Sequence, residues 1–222
     1  MPTFDEIRVD ADKRQLVRKI QKAIACIAPM SVELPESLFT VGGTLIDVKT
    51  LGFKMVGLVT PDGYKFGREV SSSQIDALGY ASSIREDVTA VVRSITATPL
   101  QSGQKHMSEI RMGADFSAVT QDPVTGEVVL DEPDLPINGE YRLLVIGSDG
   151  PAAAQWILGR GYGVVKLSTT GEEAWGSEGA VSSELNFSVS TDEEIGTPTR
   201  HYMGGTGALA ANADLGFTLG TP

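Results

Sequence analysis

Cys26, His106 and His201 are the one cysteine and the two histidines of the chain, so nucleophilic catalysis has little material to draw on. A Ser/His or Cys/His pair needs a base held within hydrogen-bond reach of its nucleophile and oriented by a third group. His106 falls in a segment that reads as a helix and His201 in a glycine-rich tail, and nothing adjacent to either suggests a role beyond the surface or packing. Cys26 sits beside Ile24 and Ile27 and reads as a small buried hydrophobe, not a poised thiolate. A single cysteine can form neither an intramolecular disulfide nor a thiolate zinc cluster.

The remaining motifs fare no better. Gly205-Thr-Gly-Ala-Leu-Ala210 has the spacing of a dinucleotide fingerprint. That motif needs a buried strand before it and a helix after it, and Tyr202-Met-Gly-Gly reads as a poor strand, so residues 196–222 are expected to form a loosely ordered arm. No GKS or GKT triplet supplies a phosphate loop, and the two histidines are too far apart for HExxH. Asp131, Glu132 and Asp134 could attract a divalent cation, but the glycine and spaced carboxylates of a calcium loop are absent. Trp156 and Trp175 read as core or inter-subunit packing at least as well as binding-surface aromatics. The sequence therefore assigns no catalytic, cofactor-binding or metal-ligating residue and is not expected to be an enzyme.

The formal net charge of -11 is unevenly placed. Residues 1–22 are weakly basic, with Arg8, Lys13, Arg14, Arg18, Lys19 and Lys22 against Asp5, Glu6, Asp10 and Asp12. Between Lys166 and Arg200 no basic residue occurs, while Glu172, Glu173, Glu178, Glu184, Asp192, Glu193 and Glu194 accumulate. Neutralising phosphates would need the opposite balance, so these acids read as a solvated face. A charged N-terminus and an apolar stretch at 23–28 too short to span a bilayer point to synthesis and folding in a cytoplasm.

The elements that would carry any function are mostly β. Residues 1–22 form a charged arm or helix, with Asp10 or Asp12 as its cap. One reading extends the helix along Leu16, Ile20 and Ile24; the other, which we prefer, ends it near Lys19 and starts a strand at Gln21, because Ile24, Cys26 and Ala28 alternate before Pro29. Residues 29–50, punctuated by Pro29, Pro35, Gly42 and Gly43, read as a connector. Thr60-Pro-Asp-Gly63 predicts a hairpin between strands at 53–59 and 64–66. Residues 67–79, with Ser71-Ser-Ser73, predict a polar loop outside the sheet. A β-branched run at 83–98 predicts a long strand ended by Pro99, and 100–112 a helix with Met107 and Ile110 inward and Gly113 at its C-cap. A hairpin about Asp122-Pro-Val-Thr-Gly126 is expected at 118–130, followed by strands at 141–147, 152–168 and 182–191, the last alternating Leu185, Phe187 and Val189. Short strands with one helix suggest a β-sandwich or barrel.

The order of segments across residues 57–115 resembles that of the major tail protein, or tail tube protein, of long-tailed bacteriophages, particularly those infecting actinobacteria. The matching pieces are Leu58-Val-Thr-Pro-Asp-Gly63 with Phe66, Ile75-Asp-Ala-Leu-Gly79, Arg85-Glu-Asp-Val-Thr89, the helix into Gly113-Ala-Asp115, and Tyr141-Arg-Leu-Leu-Val-Ile146 before Asp149-Gly150. An apolar run with Ala28-Pro29 and Leu34-Pro35 is similar to the family's opening, so the likeness spans about residues 23–197. It implies a mainly β subunit, a sandwich or barrel of the tail tube type at 23–197 with one flanking α-helix and extended arms at 1–22 and 198–222. Such subunits form hexameric rings stacked into a virion tube, in contact with a tape measure protein and other tail components, through which DNA passes without adhering. No cofactor and no membrane are implied. An acidic surplus suits a conduit that repels phosphates. Residues 67–79 and the termini would contact stacked rings, and 83–98 would build the wall. The alternatives are a related phage structural protein (tube terminator, baseplate ring or capsid decoration protein) and, from another class, a bacterial β-sandwich module binding a glycan or peptide.

Overall fold

A computed structural model describes residues 2–101, 103–177 and 179–220, with Asp10 described by its backbone alone. Glu178, one of the acids noted above, lies outside the described residues, as does the side chain of Asp10 as a candidate cap. The fold is mainly β. Eight antiparallel strands form one sheet: β1 (Lys22–Pro29), β2 (Lys54–Met55), β3 (Val59–Ile75), β4 (Arg85–Pro99), β5 (Tyr141–Asp149), β6 (Trp156–Thr170), β7 (Leu185–Ser190) and β8 (Thr199–Gly204). Their order is β2-β1-β5-β6-β7-β4-β3, with β8 also paired to β6. The helices are α1 (Phe4–Ala11), α2 (Lys105–Met112), α3 (Thr206–Ala210) and α4 (Asn212–Leu215).

Strand β5 is buried almost end to end, as expected of a strand covered on both faces. One of its faces puts Leu143 and Val145 with Ala25, Ile27, Ile95, Val165, Leu185 and Phe187, closed by Met107 and Ile110 of α2. The other puts Leu144 and Ile146 with Cys26, Ala28 and Ile157 beneath Leu34, Leu38, Val48 and Phe53. The connector at 29–50 is irregular, as its prolines and glycines require, but it is also the cover of this second core.

Glycines at 159 and 161 of β6 let that cover lie close. A Cβ on Gly159 would come 2.6 Å from Leu38 Cδ1, and one on Gly161 would come 2.9 Å from both δ carbons of Leu34. Any side chain there would displace the connector.

Several expectations are met. The strand at 83–98 is β4, ended by Pro99, and α2 is capped by Gly113 in the left-handed conformation (φ 60°, ψ 41°) with Met107 and Ile110 buried. A strand does begin at Lys22, following the preferred reading of the N-terminus. The helix before it ends sooner than Lys19, at Ala11, and its cap is Thr3, whose hydroxyl accepts from Glu6 N while the Glu6 carboxylate accepts from Thr3 N. Asp12 sits at the other end of that helix.

Four expectations are corrected. Thr60-Pro-Asp-Gly63 is not a hairpin turn: Val59 pairs with Pro99 and Tyr64 with Ala97, so the four residues bulge out opposite Thr98 and the chain runs on. Pro61 has no N–H for the ladder and Gly63 takes φ 69°, which suits a bulge as well as a reversal. The loop expected at 67–79 is largely strand, since β3 continues to Ile75 along β4. Its polar side chains reflect solvent on both faces, not absence of pairing. The hairpin expected at 118–130 keeps only its turn, where Asp122 Oδ1 accepts from Val124 N, Thr125 N and Thr125 Oγ1, and the flanking residues form no strands. The tail from Gly196 is no loose arm: Thr199–Gly204 pairs with β6, and α3 and α4 follow.

We expect Gly161→Ala to cost about 1–3 kcal/mol through overpacking against Leu34, read as a lower urea midpoint, while Gly63→Ala, in open space, costs about 1 kcal/mol from its backbone conformation alone.

Candidate functional site

The structure does not assemble the residues that could do nucleophilic chemistry. Cys26 is fully buried, with its Sγ 3.3 Å from Met55 Sδ. Burial pushes its thiol up to about 11, so at neutral pH it is protonated and inert. His106 Nε2 lies 2.8 Å from the Met55 carbonyl oxygen, which makes that nitrogen the protonated donor and the ring a clip from α2 onto β2. His201 faces Arg160 across the β6–β8 ladder. Desolvation, helped by the Arg160 charge, holds its pKa below the usual histidine value. No hydrogen bond joins any two of the three among the described residues.

The fingerprint-like segment does follow a strand, β8, but one with no buried residue, and the short helix α3 lies within the segment. It makes no phosphate cradle. Strand β8 is antiparallel to β6, α3 spans five residues, and a Cβ on Gly207 would strike the Trp156 ring at 2.4 Å. The glycines serve packing. Asp131, Glu132 and Asp134 lie exposed in a loop, and no group of three metal-ligating side chains is found among the described residues. Trp156 is buried with the Arg18 guanidinium 4.5 Å over its ring. Trp175 is exposed and donates to Glu173.

One acid was misread as part of a solvated face. Asp192 is 2% exposed; its Oδ1 accepts from the backbone N of Glu194 and of Ile195, and its Oδ2 lies 3.4 Å from Arg142 Nη2. Arg142, equally buried on β5, also donates to Glu194 at 2.6 Å. The pair ties the segment after β7 to β5. An arginine inside an otherwise apolar strand was the signal for it.

The N-terminal stretch is likewise held down beyond α1. Lys13 and Gln15 both bind Asp214 of α4, which lowers that carboxyl's pKa through the hydrogen bonds they give it. Arg18 pairs with Asp149 at 3.4 Å, and Ile20 covers Gly147.

The feature that does ask for a partner is β3 with β4. Strand β7 pairs β4 only over Ser94–Ala97. Beyond it, among the described residues, the two strands continue alone for eight pairs, from Arg68↔Arg93 to Ile75↔Arg85, or about 26 Å at the usual rise per residue. The Ile84 N–H donates to the Ile75 carbonyl and closes the tip. Along this arm Val70, Ile75, Val88 and Val92 are exposed, and at the tip Leu78 is 103% and Tyr80 72% exposed. Among the described residues no further strand pairs with either outer edge of the arm. A two-stranded ribbon of this length is marginal by itself, and bare edges with apolar side chains invite further chain.

No helix among the described residues is long and apolar enough to cross a membrane. No protein-family model matches the chain, and comparison with curated proteins finds no match.

Two outcomes follow from the buried groups. Arg142→Ala strands Asp192 without its cation and should cost about 3–5 kcal/mol in chemical unfolding; an unchanged midpoint would remove the pair as a tie. The folded chain keeps the Cys26 proton to about 11 against an ordinary 9.0, so the unfolded state releases its proton first and stability falls as pH rises through that window. Cys26→Ala should flatten that slope in unfolding curves taken from pH 8.5 to 11.

Proposed function

We propose that this chain is a structural, self-assembling subunit of a phage tail tube, with no catalytic role. The single observation that carries the reading is the β3–β4 arm. It leaves the body as an unaccompanied ribbon with two free edges and exposed apolar residues, at the place in the chain where the segment order resembles that of tail tube proteins. A ribbon of this kind is completed by other copies: edges joined around a closed ring have no exposed ends, and each added strand offers the next its backbone donors and acceptors.

Other features support the same reading. The two packed cores make the body rigid enough to repeat as a building block. Cys26 within a core, His106 as a clip and Gly207 against Trp156 are spent on packing. A net charge of -11 disfavours adhesion of nucleic acid. In this reading the tip of the arm contacts a stacked ring, β4 contributes to the wall, and DNA passes through without being held.

Negative-stain electron microscopy of the purified full chain tests it. The expected images are annular end views and tubes of uniform diameter. Closed rings that never stack would move the chain to the related ring-forming virion proteins, and a strict monomer at high protein concentration would contradict assembly altogether.

A further inference from the structure

A groove of about 790 Å3 opens between the root of β3 and the strands β1, β5, β6 and β8. Its floor is apolar, with Ala23, Val145 and Leu158, and the Thr60–Gly63 bulge forms one wall. Lys22 and Arg160 line it against a single carboxylate, Asp62, with His201 beside them. Arg160 has no carboxylate partner among the described residues; its guanidinium lies 4.2 Å over the Phe66 ring. In a chain with net charge -11 this is a local surplus of positive charge, set beside apolar surface that nothing covers.

The arm is complementary to it. Over its outer half, from Ser72 to Val88, the arm carries Asp76, Glu86 and Asp87 against Arg85, while Arg68 and Arg93 sit at its base, and the tip adds the exposed Leu78 and Tyr80. The arm cannot serve its own groove. The groove wall is the root of the same strand, and about 26 Å of ladder carries the tip away from it.

We propose that this groove is the socket for the arm tip, residues 76–84, of a second copy of the chain. The inference rests on the tube reading only in taking a second copy as the partner. Tip and socket are different surfaces of one subunit, so the contact is head-to-tail and repeats from each subunit to the next. Leu78 and Tyr80 enter the apolar floor while the acids of the arm's outer half meet Lys22 and Arg160.

Two full-chain variants test it by complementation. The pair Leu78→Asp with Tyr80→Asp spoils the tip and leaves the socket; Ala23→Trp fills the socket and leaves the tip. Ala23 is exposed on β1, and Met203→Asp on the groove rim is a second socket variant should the tryptophan disturb folding, which circular dichroism and cooperative unfolding would reveal. In sedimentation velocity each variant alone should lose head-to-tail association by at least about tenfold, the scale of one lost anchor side chain. Mixing tip and socket variants should pair one particle of each and stop there. The proposal is overturned if folded variants stack as the unaltered chain does, or if the mixture forms no pair. Tubes built by the socket variants would sink the socket and leave the tube reading standing, whereas an unaltered chain that pairs head-to-tail yet never forms rings or tubes would sink the tube reading alone.

Discussion

Strand β6 holds three neighbours. Along one edge it pairs with β5; along the other it pairs with β8 over Ile157–Tyr162 and then with β7 over Val164–Thr170. That divided edge shapes the molecule. The half bound to β8 stays with β1 and β5 as the floor of two cores, while the half bound to β7 leads on to β4 and β3. Phe66 stacks with Tyr162, ring centroids 6.4 Å apart, where the outgoing strands fold back over the centre. The alternate glycines of β6 and the buried Arg142–Asp192 tie fix what lies over one face: the connector and, beside it, the segment after β7, whose Ile195 packs against the same core.

The same division leaves the surfaces that we read as interfaces. Because β8 ends one half of the sheet and β3 ends the other, a groove opens between them. Because β7 is only six residues long, β4 outruns it and takes β3 along. A fifteen-residue strand paired with a seventeen-residue one buries little of its outer half, so the arm is the least stabilised part of the sheet and the part with most to gain from a partner. Closed packing in the body and open edges on the arm are two results of one strand arrangement.

Much of the body was legible in the sequence because its signals were about burial. The apolar run at 143–146, the β-branched density at 83–98, the alternation of Leu185, Phe187 and Val189, and Gly113 after an amphipathic stretch each report a local requirement that the fold honours. What misled were signals with two physical meanings. Pro-Asp-Gly serves a bulge or a reversal, and only the distant partner β4 decides between them. Serines at 71–73 fit a loop or a strand solvated on both faces. Tyr202-Met-Gly-Gly looked weak as a strand because its pairing with β6 supplies what propensity lacks. Of the site-level reading, Cys26 and His106 were legible as packing groups; the groove was not, since its lining comes from five separate strands.

The account's central claim is that the β3–β4 arm is an assembly element completed by other copies. Hydrogen–deuterium exchange on the unaltered chain, followed from dilute to concentrated solution, addresses it most directly. The account predicts that backbone amides of the arm, residues 68–92, exchange fast when dilute and become protected as concentration rises, while those of β5 are protected throughout. An arm whose exchange does not depend on concentration would contradict it.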